Sequence, residues 1–296
     1  MIYTITFNPA LDCTFYSNTI ALGELNRISR TQVSAGGKGI NVSILLCNLG
    51  IENTALGFIG GFTGNEIKRQ LNAINCKTDF VEVDGDSRIN VKINADTRTE
   101  LNAEGPTITP AQFDEFMKKL EKVSDGDYVV LSGSVPKGLG SDVYGKILSL
   151  LSSKKVNTIV DTSGDALKEA LEYQPFLVKP NRHELGELFD VEIESSEDVI
   201  KYASFLQDVG AQNVLVSLDK DGAILLDENG VSHKVVAPEI SQVNTVGAGD
   251  SMIGGFIASY MQDADYDLAL KYASACGTAT ASMEGIATAD VIHVYL

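Results

Sequence analysis

The sequence predicts an α/β fold with a mostly parallel central sheet and helices on both faces. Three observations predict it. Short β-branched runs alternate with helical patterns for most of the length. Glycine-rich turns stand where strands end and helices begin. With 296 residues, 44% of them hydrophobic and 21% charged, the chain is long enough and apolar enough for a sizeable core.

The strands are expected over residues 2–7, 54–59, 128–132, 158–161, 176–178 and 213–217. Helical patterns fill the intervals at 39–49, 65–74, 110–122, 142–151, 165–171 and 197–207. A late run, 251–261, is apolar and rich in small residues, and reads as a buried helix. Two regions depart from this alternation. Residues 12–35 and 86–104 are polar and strand-like, with no helix between their strands. They read either as a small separate sheet, serving as a lid or a dimer contact, or as two decorated surface hairpins. In open α/β sheets, ligands bind beyond the carboxyl ends of the strands, so the site is expected there.

Charge narrows the partners. Forty acidic residues against 23 basic ones give a formal net charge of −17. Long-range repulsion excludes nucleic acid and anionic membrane surfaces. A phosphate-bearing ligand must then meet a local cluster of cations. The four cysteines (Cys13, Cys47, Cys76, Cys276) form no Cys-x-x-Cys pair, so neither a zinc site nor a disulfide framework is expected, and free thiols point to a reducing compartment. The chain opens directly on a strand-like run, with no leader pattern and no apolar stretch of spanning length, so a cytoplasmic location is expected.

The most informative segment is Asn244-Thr245-Val246-Gly247-Ala248-Gly249-Asp250, just before the apolar helix. A Gly-Ala-Gly turn at a helix N-terminus presents unpaired N–H groups at the positive end of the helix dipole, which suits phosphate. Asp250 beside it is either a helix cap or a base that takes a proton from a hydroxyl while the N–H groups hold a phosphoryl group. Ala35-Gly36-Gly37-Lys38-Gly39-Ile40-Asn41 opens the first long helix and offers Lys38 and Asn41 as donors. Its spacing matches neither the P-loop nor the dinucleotide fingerprint.

Lys179-Pro180-Asn181-Arg182-His183-Glu184 follows a buried strand. Asn181 and Glu184 share a helix face, and two readings stay open: a capping box, or a hydrated magnesium site. Ser217-Leu218-Asp219-Lys220-Asp221-Gly222 combines a hairpin turn with groups that suit nucleotide phosphates. Ser132-Gly133-Ser134-Val135-Pro136-Lys137-Gly138 closes a further strand and offers Lys137. The three histidines show no metal spacing.

Taken together, these motifs, with Asn8-Pro9-Ala10-Leu11-Asp12, resemble the ribokinase-like phosphofructokinase-B family of sugar kinases over almost the whole chain. The resemblance implies a three-layer α/β/α ribokinase-like fold, one kinase domain over 1–296, and a β-sheet lid built from the insertions at about 12–35 and 86–104. Thr99-Glu100-Leu101-Asn102-Ala103-Glu104-Gly105-Pro106 is similar to the branch acting on phosphorylated ketohexoses. The implied reaction uses ATP and Mg2+ to phosphorylate fructose 1-phosphate. Tagatose 6-phosphate is the competing acceptor, and a non-catalytic sugar-phosphate sensor is the reading from another class.

By the same resemblance Asp250 is the base, and Gly247, Ala248 and Gly249 form the anion hole. Asp12, Gly36, Gly37, Lys38 and Asn41 hold the sugar. Arg88 and Lys137, with Arg27 from a lid or partner subunit, neutralise its phosphate. Lys179, Asn181 and Glu184 serve ATP and magnesium, the last two through water. Ser217, Lys220, Gly222 and Thr245 lie along the nucleotide. A homodimer through the lid is implied. The chain departs from the family at Asn244, where aspartate is frequent.

Overall fold

The computed structural model describes residues 1–296. The chain starts with β1 (Ile2–Thr6), β2 (Ala10–Tyr16) and β3 (Arg30–Gly36) before its first helix, α1 (Lys38–Asn48). Next come β4 (Asn53–Ile59), α2 (Gly61–Ala73) and the two-residue strands β5 (Lys77–Thr78) and β6 (Val81–Glu82). Two more strands, β7 (Arg88–Asn94) and β8 (Arg98–Leu101), precede α3 (Pro110–Leu120). A regular alternation follows: β9 (Tyr128–Ser132), α4 (Val143–Leu151), β10 (Asn157–Asp161), α5 (Gly164–Leu171) and β11 (Leu177–Val178). Helices α6 (Arg182–Phe189) and α7 (Ser196–Asp208) lead to β12 (Asn213–Ser217), and β13 (Ala223–Leu226) and β14 (Ser232–Val235) follow. The chain closes with α8 (Ala248–Asp263), α9 (Tyr266–Ala281) and the short α10 (Ala289–Ile292).

The central sheet runs β14-β13-β12-β11-β10-β9-β1-β4-β5, with β6 also on β4. Its middle is parallel, and only β13 and β14 join antiparallel. Because side chains alternate along a strand, each strand feeds two cores. Tyr3, Ile5, Val129, Leu131, Val160 and Val216 face α3 to α7. Ile2, Val130, Ile159 and Leu215 face α1, α8 and α9. The result is the expected three-layer α/β/α arrangement. No helix is long and apolar enough to cross a membrane.

The two irregular regions pair into a second sheet of four strands, in the order β3-β2-β7-β8. Its register puts Asp12, Asn90 and Lys92 on one face and Cys13, Val33, Val91 and Leu101 on the other. The polar face is turned to the body of the molecule, where Asp12, Asn90 and Lys92 are buried.

Each strand and helix expected from the sequence is present, within a few residues at the ends. Three larger features were not anticipated. β13 is a four-residue apolar run, too short to separate from a buried helix turn by periodicity. Its partner β14 is short and polar. α9 is built of alanine and other small residues and has no distinct apolar stripe, because it lies against α8 along Gly255 and Gly277.

One close approach sets the position of the first helix. A Cβ on Gly39 would stand 2.5 Å from Thr6 Oγ1 and 2.7 Å from the Ile5 carbonyl, so α1 starts pressed onto the end of β1. Gly39→Ala should lower stability by about 2–4 kcal/mol in urea unfolding, since backbone has to move. Gly50→Ala, with open space around the Cβ but a φ of +72°, should cost only about 1 kcal/mol. Equal losses at the two positions would contradict the close contact.

Candidate active site

The carboxyl ends of β10, β11 and β12, the first turns of α1 and α8, and the polar face of the small sheet enclose one cleft of about 1010 Å³. It collects most of the residues singled out from the sequence. Asp12, Gly37, Lys38, Asn41 and Arg88 line it. Lys179, Asn181, Glu184, Ser217, Lys220, Gly222, Thr245 and Gly247 to Asp250 line the same cleft.

Asp250 lies in the first turn of α8, 7% exposed. Asn41 of α1 donates its amide to Asp250 Oδ2 at 2.7 Å. Burial, followed by the charge of Asp161, raises the Asp250 carboxyl to about 6, while Asn41, Lys38 and Lys179 pull the other way. Gly247 caps the helix in the left-handed region, at φ 83°, and no side chain covers the first turn. The N–H groups of Gly247, Gly249 and Asp250 make no hydrogen bond within the chain. The Ala248 N–H bonds the Thr245 carbonyl at 3.3 Å. The free donors are therefore Gly247, Gly249 and Asp250 rather than the expected Gly247, Ala248 and Gly249. Asn244 accepts from the Val246 N–H at 3.1 Å, a bond its amide oxygen can make as well as an aspartate oxygen.

Behind this turn is a carboxylate that sequence reasoning missed. Asp161 ends β10, 2% exposed, and its Oδ1 lies 3.2 Å from Lys38 Nζ and 3.6 Å from Lys179 Nζ. Burial alone would raise the Asp161 carboxyl, but the ammonium groups of Lys179 and Lys38 outweigh it and hold it below its ordinary range. Burial would likewise lower the Lys38 ammonium, and the charges of Asp161, Asp250 and Glu184 overcome it and raise the group. Gly249 presses on Lys179, where a Cβ would stand 3.1 Å from Nζ. A charged residue closing an apolar run at a strand's carboxyl end was the available signal for Asp161.

Asp12 is also more enclosed than its motif implies. Asn90 donates to its Oδ1 at 3.0 Å, and Lys92 Nζ reaches its Oδ2 at 2.5 Å. Gly36 does not line the cleft. It backs Asp12, and a Cβ there would fall 2.6 Å from Oδ2. Arg88 holds the Asn8 carbonyl at 3.0 Å and the Ala103 carbonyl at 3.3 Å. Two of the expected cations lie outside the cleft of a single chain. Lys137 is exposed and ion-paired with Glu104, and Arg27 is exposed on the link between β2 and β3. Asn181 and Glu184 form a capping box, with bonds of 2.8 Å in each direction. The Asp221-Gly222 turn joins β12 to β13 as a hairpin.

Removing Lys92 should leave Asp12 buried without its cation. Lys92→Met is expected to destabilise by about 3–5 kcal/mol in urea unfolding, with much of the loss recovered by adding Asp12→Asn. Additive losses in the double variant would contradict a coupled pair.

Comparison with known proteins places the sequence and the fold in a family. The family model described as pfkB family carbohydrate kinase matches residues 6–291. A 1-phosphofructokinase of Bacillus subtilis is 42% identical over 296 residues, covering 100% of this chain and 97% of its own. A D-tagatose-1-phosphate kinase of Bacillus licheniformis is 38% identical, covering 97% and 94%. The crystal structure of phosphofructokinase-2 from Escherichia coli, in complex with substrates and products, superposes with a TM-score of 0.93 at 29% identity, covering 99% and 97%. The chain belongs to the pfkB family of carbohydrate kinases, phosphotransferases with an alcohol acceptor.

Proposed function

We propose that this enzyme transfers the γ-phosphoryl group of ATP to the free primary hydroxyl of fructose 1-phosphate, giving fructose 1,6-bisphosphate. One observation carries the reading: a buried carboxylate raised to about 6 stands beside the free N–H groups of a helix N-terminus. A base near this value is ionised at neutral pH and still accepts a proton as the hydroxyl attacks. The Gly247, Gly249 and Asp250 N–H groups meet the charge developing on the transferring phosphoryl group. The names of the two Bacillus relatives both place the substrate's phosphate on C1, which favours fructose 1-phosphate over tagatose 6-phosphate.

Asp12, Gly37, Lys38 and Asn41 hold the sugar, with Gly36 giving Asp12 its room. Arg88 neutralises the substrate phosphate. Lys137 and Arg27 take part only after the small sheet, from about 12–35 and 86–104, closes as a lid, or from a second subunit. Lys179 faces the anion hole, and Ser217, Lys220, Gly222 and Thr245 line the nucleotide's end of the cleft.

The donor set fits a hydrated magnesium ion. Asp161 Oδ2 is buried without a partner, and Glu184 keeps one carboxylate oxygen outside its capping box; both residues line the cleft. No cluster of three or more histidine, cysteine or acidic residues could enclose a metal. Magnesium usually keeps several of its waters and needs few protein ligands. Bound there through water by Asn181, Glu184 and Asp161, the ion would neutralise phosphate charge.

The outer face of the small sheet is apolar, with Val33 44%, Ile89 38% and Leu101 55% exposed. A homodimer covers this face, and the free thiols suit a cytoplasmic enzyme. Ile89→Glu combined with Leu101→Glu should turn a dimer into monomers in light scattering; an unchanged mass would place the interface elsewhere.

ADP release with Mg-ATP, compared for fructose 1-phosphate and tagatose 6-phosphate as kcat/KM, tests the substrate. A large preference for the first is expected. A preference for the second moves the substrate and keeps the base, and tight binding without ADP release would leave a sensor. Asp250→Asn should lower kcat by about 10²–10⁴-fold with ATP binding kept. Because the folded carboxyl is raised, Asp250 binds its proton more tightly in the folded state, and its ionisation opposes folding as pH rises from about 4 to about 6. The same variant should therefore melt no lower than the wild type at pH 7. For the wild type, kcat/KM should fall below about pH 6 as Asp250 takes up its proton. Near-wild-type turnover of the variant would remove Asp250 from the chemistry.

A further inference from the structure

Away from the cleft, two of the four free cysteines belong to one apolar cluster and bond the same side chain. Cys47 stands in the last turn of α1, and Cys76 in the link between α2 and β5. Asn53, the first residue of β4, bridges them. Its amide donates to Cys47 Sγ at 3.3 Å, and the Cys76 thiol donates to its Oδ1 at 3.7 Å. One Asn53 side chain thus holds both sulfurs, and the Cys76 thiol also lies 3.6 Å from the Lys77 carbonyl. Ile40, Ala55, Ile67 and Leu71 pack around Cys76, with Cys47 at the edge of the same cluster.

The two sulfurs differ in access and acidity. Cys47 is half-buried, whereas Cys76 is 2% exposed. The neighbouring Cys76 thiol draws the Cys47 thiol down to about 7, against its burial and with help from the Asn53 amide. The same neighbour, and then burial, push Cys76 far above the ordinary thiol range. A partly ionised, reachable thiol backed by a protonated, sheltered one is the arrangement of an attacking and a resolving cysteine.

We propose that Cys47 and Cys76 form a thiol–disulfide couple, a reversible oxidation site in which Cys47 reacts with a small disulfide and Cys76 resolves the product. The Cys47 thiolate attacks one sulfur of glutathione disulfide. A Cys47–glutathione bond forms, the oxidant's own S–S bond breaks, and the first glutathione leaves as a thiolate that takes a proton from water. Cys76 then yields its proton to solvent and attacks the Cys47 sulfur. The Cys47–Cys76 bond forms and the second glutathione leaves. Two protein thiols lose two electrons in total, and one glutathione disulfide gains them. Neither cysteine lines the cleft, so the couple does not rest on the kinase reading.

The test treats the folded full-length protein with excess glutathione disulfide, blocks the remaining thiols, and maps the peptides by mass. The expected product is a Cys47–Cys76 cross-linked peptide, with an intact mass about 2 Da lower that dithiothreitol restores. Cys76→Ser should stop at a stable glutathione adduct on Cys47, and Cys47→Ser should give neither adduct nor bridge at Cys76. The proposal is overturned if all four thiols stay reduced in the wild type, if the Cys47 adduct persists there unresolved, or if Cys47 pairs with Cys13 instead.

Discussion

Asp161 and Asp250 are buried carboxylates that share two ammonium groups, Lys38 and Lys179, at the carboxyl end of the central sheet. Neither acid could stay ionised there alone, because burial penalises the charged form by far more than one neighbour returns. The lysines take up most of their charge on Asp161, which is held low. Asp250, left with one amide bond and the repulsion of Asp161, is held high. Two acids in the field of the same cations thus acquire different tasks, one paired with the lysines and the other free to exchange a proton.

Much of the surrounding structure follows from placing that cluster. β10 delivers Asp161 and the link after β11 delivers Lys179, while α1 and α8 bring Lys38, Asn41 and Asp250 from the opposite layer. The helices must approach the strands closely for these reaches to close, and glycines allow it. Gly39 lets α1 press on β1, and Gly249 lets α8 press on Lys179. The two helices also pack on each other, with Gly254 against Leu45. The fourth wall comes from the small sheet, whose Asp12 is fixed by Asn90 and Lys92 before any ligand arrives.

How far the sequence revealed this depends on the range of each interaction. The central strands and helices were legible because their signals are local: β-branched runs and apolar periodicity. The Gly-Ala-Gly turn and Asp250 were legible for the same reason, as seven adjacent residues hold both the donors and the base. The Asn181–Glu184 capping box needs only a spacing of three. Lys92 and Asn90 were not legible, since they meet Asp12 through a parallel pairing of β2 with β7 nearly eighty residues later. Asp161 lay at the edge of an expected strand, but its two lysines come from distant elements. α9 stayed hidden because a helix of small residues, buried on most sides, carries no stripe. Lys137 and Arg27 were assigned to the substrate by resemblance, Arg27 from a lid or partner subunit, and a single chain leaves both on the surface.

The central claim is that Asp161 sets the protonation of Asp250. A carbon-detected NMR titration of the Asp250 carboxyl, in the wild type and in Asp161→Asn, tests it most directly. The account predicts a midpoint near 6 in the wild type and a clear fall once the neighbouring charge is removed. A midpoint near 4 in both proteins, the ordinary value for an aspartate, would contradict it.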